Sequence, residues 1–232
     1  MSTSDLELGG RELPDALDDV RRYCGLPWSG GQGEVSAFLY YDALSERRED
    51  DVVRPVDVLS TAALHPGLRW RDLQYFSYEA RTLQTWLETI PPGVDLADAD
   101  EDLVEEVARL PERFDGHPGL SILSKVLHAK RPRLVPILDR TLTDWYRPIS
   151  SRRGESAWQD CVRLLHGDLA APYNRTILRS IRSEIGVELG AVVPSELRIA
   201  DIAIWMQVRG FRSEPAESWR DEQAAVQQRR RE

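Results

Sequence analysis

Apolar residues recur at spacings of three and four along most of this chain. Leu73, Phe76, Ala80, Leu83, Leu87 and Ile90 form one stripe, which predicts a helix from about Arg71 to Ile90 with a single buried face. Pro91-Pro92-Gly93 stops it, because proline lacks the backbone N–H that a helix interior uses. Trp158, Cys161, Val162, Leu165 and Leu169 form a second stripe closed by Pro172, and Ile181, Ile185 and Leu189 a third before Gly190. Ser195-Glu196-Leu197-Arg198 reads as a helix start, with Ile199, Ile202, Ala203 and Met206 on one face and Gly210 as its stop. Earlier candidates run from Leu13 to Tyr23 and from Glu34 to Arg48. Strand signals are scarce: Val52-Val53 and Ala191-Val192-Val193 are short and have no partner at hairpin spacing. The pattern predicts an all-α fold, a multi-helix globular domain of roughly nine or ten helices. It spans residues 1–211, and a polar tail over 212–232 ends Gln-Gln-Arg-Arg-Arg-Glu as a frayed helix or disordered segment.

Composition narrows the function classes. Hydrophobic residues make up 41% and charged residues 30%, the balance of a soluble chain with enough length to bury a core. No run approaches the ~20 apolar residues of a membrane helix, and Met1 to Gly10 lacks the basic and apolar pattern of an export signal, so a cytoplasmic location is expected. Two cysteines, Cys24 and Cys161, cannot build a disulfide framework, a four-cysteine zinc site or an iron–sulfur cluster. His65, His117, His128 and His166 show no metal-ligand spacing, so neither metal nor cofactor is expected. Gly30-Gly31-Gln32-Gly33 lacks the Lys-Ser/Thr of a phosphate loop and reads as a turn before the Glu34 helix. Asp98, Asp100 and Asp102 imitate a calcium loop, but Leu103 and Arg109 stand where its glycine and closing glutamate belong. The acids from Asp95 to Glu106 therefore read as an acidic helix start followed by a solvated face.

The net charge of −9 argues against a general nucleic-acid coat, yet the charge is uneven. From Gly116 to Arg153 eight Lys or Arg face two acids, a local +6, which leaves −15 on the remainder. Within it, Pro118-Gly119 makes a tight turn feeding a helix from Leu120, and a helix start exposes backbone N–H groups suited to phosphate. Lys125, Lys130, Arg131 and Arg133 place positive charge around that helix. Pro132 and Pro136 force an extended connection, and Asp139 falls at the next helix start, where a carboxylate is electrostatically favoured.

The stretch from His117 to Lys125 resembles the hairpin of the helix-hairpin-helix DNA glycosylase superfamily, commonly Leu-Pro-Gly-Val-Gly-x-x-Thr-Ala, with Ser121 at the second hairpin glycine. Pro136-Ile137-Leu138-Asp139 stands where that superfamily carries its catalytic aspartate, eighteen residues after Ser121. The resemblance implies a glycosylase-like core in which Asp139 stabilises a developing oxocarbenium ion or helps activate its attacker. It also implies that Gly119, Ser121, Ser124, Lys125, Lys130, Arg131 and Arg133 contact nucleic acid, with DNA held by the Gly116 to Arg153 segment. Leu123 stands at the lysine position of the bifunctional enzymes, so the implied enzyme is monofunctional and forms no Schiff base. The whole chain also resembles an uncharacterised family from high-GC bacteria. Its Ser-Lys-x-Leu-His-x-Lys-Arg-Pro-x-Leu-x-Pro-Ile-x-Asp and Leu-Arg-x-x-Asp-x-x-x-Trp elements match Ser124 to Asp139 and Leu197 to Trp205.

Each of these residues has a structural alternative. A carboxylate at the place of Asp139 is more often a helix cap or a buried hydrogen-bond partner than a catalyst. Lys125, Arg131 and Arg133 read as a solvated face or as partners of the Asp95 to Glu106 acids. Asp201 and Trp205, four apart, read as core packing with one satisfied carboxylate, and Trp145 as a core residue or the wall of a pocket beside Asp139. Three function classes follow: nucleic-acid binding with base excision at Asp139, a non-enzymatic interaction scaffold, and a metal-independent enzyme acting on a nucleotide or small glycoside. The nucleic-acid reading requires the first two turns of the Leu120 helix to face solvent, free of acidic neighbours.

Overall fold

Two glycines set the first element. The computed structural model describes residues 5–32, 41–42, 49–64, 67–114, 119–150, 156–190 and 192–209. Gly9 and Gly10 both take positive φ, +62° and +68°, the conformation of a tight hairpin turn that side chains resist. They join β1 (Leu6–Leu8) to β2 (Arg11–Leu13), an antiparallel pair with Leu6 opposite Leu13 and Leu8 opposite Arg11. A Cβ on Gly9 would stand 2.9 Å from Trp145 Nε1, so the turn needs glycine for space as well as conformation. The expected all-α class is corrected here: the protein is mostly helical with one small hairpin. Three-residue strands are too short for alternation to register, and the hairpin is anchored by distant residues. Trp145 Nε1 donates to Leu8 O (2.9 Å), Asp168 accepts from Gly9 N–H (2.6 Å), and Asn174 donates to Glu7 O (2.6 Å) and accepts from its N–H (3.1 Å).

The helices follow as α1 (Ala16–Tyr23), α2 (Pro55–Ser60) with a 3-10 turn (Thr61–Ala63), α3 (Trp70–Tyr78), α4 (Ala80–Thr89), a 3-10 turn (Leu96–Asp98), α5 (Glu101–Ala108), α6 (Leu110–Arg113), α7 (Leu120–Lys130), α8 (Arg140–Tyr146), α9 (Ser156–Ala170), α10 (Pro172–Leu189) and α11 (Glu196–Arg209). The helix predicted from Arg71 to Ile90 is two helices, broken at Glu79, whose backbone (φ −90°, ψ 5°) ends α3 and precedes α4. Phe76, Leu83 and Leu87 are buried on both sides of the break, so the stripe runs through it undisturbed. Val52-Val53 and Val192-Val193 form no strand. The Glu34 to Arg48 helix lies outside the described residues apart from Tyr41 and Asp42, as do His65, His117, Pro118 and the 212–232 tail.

Buried apolar residues from Leu6 to Met206 form one connected core. Two helices pass through it nearly covered: α7, buried from Ile122 to Lys130, and α11, buried from Leu197 to Ile204. A helix covered on all sides is ordinarily apolar all round. These two instead carry Ser124, Lys125, His128, Lys130, Arg198 and Asp201 into the interior. No described helix is long and apolar enough to cross a membrane.

Candidate functional site: a charged cavity between α1, α7, α8 and α11

Helix α7 starts at Gly119, exposed at φ +95°, a conformation that favours glycine. The connection after α7 folds back onto the helix. Leu138 N–H donates to Ser124 Oγ (3.0 Å), and His128 Nδ1 donates to Val135 O (2.7 Å). Ser195 caps α11 by accepting from Arg198 N–H (3.1 Å) while its hydroxyl donates to Pro132 O (2.6 Å). These bonds deliver Asp139 to the start of α8, where its Oδ1 accepts from Leu142 N–H (3.0 Å). Asp139 is therefore a true N-cap, as the local sequence suggested. Its second oxygen accepts from no described residue, and the side chain is half-buried on the wall of a cavity of about 240 Å³.

Tyr23, Lys125, Arg198, Asp201 and Trp205 share that wall with Asp139, and Ala63, Leu64, Ile137 and Ile202 complete it with apolar surface. Arg198 is the hub. Its Nε and Nη2 grip both oxygens of Asp42 (2.9 and 3.0 Å), Nη1 meets Asp201 Oδ2, and Nη2 donates to Tyr23 OH. The Tyr23 and Tyr41 rings lie 5.3 and 5.5 Å from the guanidinium, and Trp205 packs edge-on to Tyr23 at 6.2 Å. Burial alone would lower the pKa of Arg198, but Asp42, Tyr23 and Asp201 more than offset it and hold the residue charged. Burial pushes Asp201 up to about 6 against the pull of Arg198, with Asp139 adding repulsion. Lys125 Nζ donates to Ser121 O (3.1 Å) and Oγ (2.8 Å) with no carboxylate of the described residues in contact, and burial lowers its pKa.

The other basic residues of the segment go elsewhere. Lys130, fully buried, contacts Asp57 Oδ2 (2.7 Å) and Asp50 Oδ1 (3.1 Å). Arg131, 1% exposed, donates to Leu87 O and Ile90 O (both 2.8 Å) at the end of α4 and pairs with Asp51. Arg133 is exposed and paired with Asp95 (Nε to Oδ1, 2.8 Å), the acidic partner that was the structural alternative. Ser124 is buried and Ser121 half-buried, so Gly119, Ser121, Ser124 and the four cations share no solvent-facing surface. Of the first two α7 turns only Leu120 and Ser121 are more than a few per cent exposed, which is not the solvent-facing helix start that a phosphate site needs. Desolvated cations need partners, and the chain supplies aspartates from α2 and the loop before it.

Trp145 faces the hairpin, and Trp205 takes the place beside Asp139. Arg198 and Tyr23 were missed by sequence reasoning. Arg198 had one signal, its place three residues before Asp201 within the Leu197 to Trp205 element; Tyr23 had none. Larger grooves of about 550 and 560 Å³ carry one arginine each and no carboxylate, so convergent chemistry marks the smaller cavity. Among the described residues no group of three or more His, Cys, Asp or Glu is placed to hold a metal.

Fold and site together define a mostly helical protein with a small cavity walled by buried ion pairs and two carboxylates. The chain belongs to DUF6308, a family of unknown function, whose sequence pattern matches residues 16–208 and so takes in the whole cavity. None of the curated proteins and none of the solved structures matches this chain.

Proposed function

We propose that this protein is a hydrolase that cleaves the N-glycosidic bond of a nucleobase-bearing substrate, with Asp139 as the negative charge facing the sugar. One observation carries the reading: Asp139 spends a single oxygen on its capping bond and presents the rest of its carboxylate to a cavity with an aromatic wall. Glycosidic cleavage builds positive charge on the sugar, and a fixed carboxylate in a partly desolvated site stabilises that charge far more than water does. The likeness of Pro136-Ile137-Leu138-Asp139 to the aspartate element of the helix-hairpin-helix glycosylases supports the same role. At about 240 Å³ the cavity lies below the ~300–1,000 Å³ of drug-sized ligand pockets, which suits one heterocycle and not a longer chain. Its base would come from a free nucleoside or from a nucleotide swung out of a strand. Lys125, Lys130 and Arg131 are engaged inside the protein and leave the grip on any phosphate to other groups.

The test is base release, followed by chromatography, from a panel of free nucleosides and of single- and double-stranded oligonucleotides with damaged or mismatched bases. Release is expected in one of these arms, with a loss of roughly 100-fold or more in Asp139→Asn and an almost unchanged melting temperature. No release in any arm, or full activity in the Asn variant, would overturn the proposal in favour of a non-enzymatic scaffold role.

A further inference from the structure

Resting on that hydrolase reading, we propose that Asp201 holds the proton that is given to the departing base, so that the cavity contains a separate acid and charge stabiliser. The surroundings of Asp201 favour such a proton: it is buried, and the Asp139 carboxylate stands on the same cavity wall. Among the described residues the cavity wall carries Lys125 and Arg198 beside the carboxylates of Asp139 and Asp201. A buried carboxyl with one oxygen engaged and the other without a described donor takes up a proton more readily than one in water.

Geometry selects the carboxyl that takes it. Asp42 is gripped at both oxygens by Arg198. Asp139 sits at a helix start with a backbone N–H on one oxygen, a position that accommodates negative charge. Asp201 lies inside α11, where the backbone N–H groups are already used, and Arg198 occupies only its Oδ2. Its Oδ1 accepts from no described residue, and Asp201 belongs to the cavity wall. Among the described residues the groups around Asp201 are Arg198 on its own helix, Lys125 of α7, Asp139 before α8, Tyr23 of α1, Cys161 of α9, Tyr41, and Asp42 on the far side of Arg198. Burial keeps the protons of Tyr23, Tyr41 and Cys161 in place well above neutral pH, and Arg198 stays charged. Asp201, raised by burial to about 6, titrates close to neutrality. Environments that set two facing carboxyls apart divide their roles into acid and stabiliser.

The step balances with water alone. The Asp201 proton passes to a ring nitrogen of the base, the C1′–N bond breaks, and its electron pair leaves with the base. Asp139 faces the resulting oxocarbenium ion. Water then adds to C1′, and the proton it sheds returns to the Asp201 carboxylate.

Two substrates separate this role from Asp139's: the nucleoside or oligonucleotide that releases base, and p-nitrophenyl β-D-ribofuranoside, whose nitrophenolate departs without a proton. For wild type, kcat/KM on the base-bearing substrate should fall tenfold per pH unit above about pH 6, while the nitrophenyl riboside stays level. Asp201→Asn should lose roughly 100-fold or more on the first and only a few-fold on the second; Asp139→Asn should lose both. Equal pH falls on both substrates, or equal losses in Asp201→Asn, would overturn the assignment. Should that variant fail to fold, the wild-type pH comparison decides. Infrared spectroscopy gives a readout free of activity: a protonated-carboxyl band titrating near 6 in wild type is expected, and its absence overturns the assignment. No cleavage of either substrate removes the hydrolase reading itself, whatever the infrared band shows.

Discussion

Lys125 and Lys130 are the only lysines of the chain, lie five residues apart on one helix, and are both buried, yet they meet opposite surroundings. Lys130 touches two carboxylates, and beside it Arg131 touches a third and two helix-end carbonyls. With Arg54 on Asp50, three cations face Asp50, Asp51 and Asp57, a balanced set. Among the described residues the Lys125 ammonium bonds only the neutral groups of Ser121. The first arrangement fastens the segment around Asp50 and α2 onto α7 and the end of α4. The second leaves Lys125 beside a cavity with no described carboxylate in contact. Burial of charge is therefore not one phenomenon here: contact pairing makes it structural, and incomplete pairing leaves groups free to exchange protons or meet a ligand.

Removing each lysine tests this contrast most strongly. Lys130→Met strands the buried Asp57 carboxylate and should cost ~3–5 kcal/mol in denaturant unfolding. Lys125→Met loses hydrogen bonds to neutral groups and should cost only about 1–2 kcal/mol. Equal losses would remove the distinction between the two clusters.

The next effect belongs to the cavity. Asp139→Asn should reduce base release by roughly 100-fold while leaving the melt nearly unchanged, because asparagine caps a helix almost as well as aspartate. Asp139→Ala should in addition lose about 1 kcal/mol of stability through the missing cap. A large melting loss in the Asn variant would show that Asp139 belongs to the fastened kind of charge after all.

Stability against pH separates the clusters further. The folded-state value of Asp201, about 6, lies above its ordinary 3.8, so folding takes up a proton between those values. Its contribution is harmless below about pH 4 and becomes a full penalty above about pH 6. Stability of wild type relative to Asp201→Asn should therefore decline as pH rises from about 4 to 6 and level off beyond, as read by urea midpoints. A relative gain over that window would reverse the assigned direction. The smallest effect is expected at the surface: Arg133→Ala removes an exposed pair with Asp95 and should cost ~0.2–1 kcal/mol, shrinking further in high salt.

What the amino-acid sequence determined by itself is local. The stripes of α4, α9, α10 and α11, the stops at Pro91 and Pro172, the Ser195 cap and the Asp139 cap all depend on neighbours within one or two turns, where spacing and residue type suffice. The same locality hid the break at Glu79, which leaves the stripe intact, and the hairpin, whose partners Trp145, Asp168 and Asn174 come from the other end of the chain. Only the tertiary structure decided which charges are buried. The excess of +6 between Gly116 and Arg153 looked like a surface for phosphate because a charge sum carries no depth. Folding brought Asp50, Asp51, Asp57 and Asp95 onto Lys130, Arg131 and Arg133. It also joined Asp42 to Arg198 across 156 residues. Helix periodicity arises from bonds four residues apart, but a desolvated charge takes its partner from whatever part of the chain the core brings near.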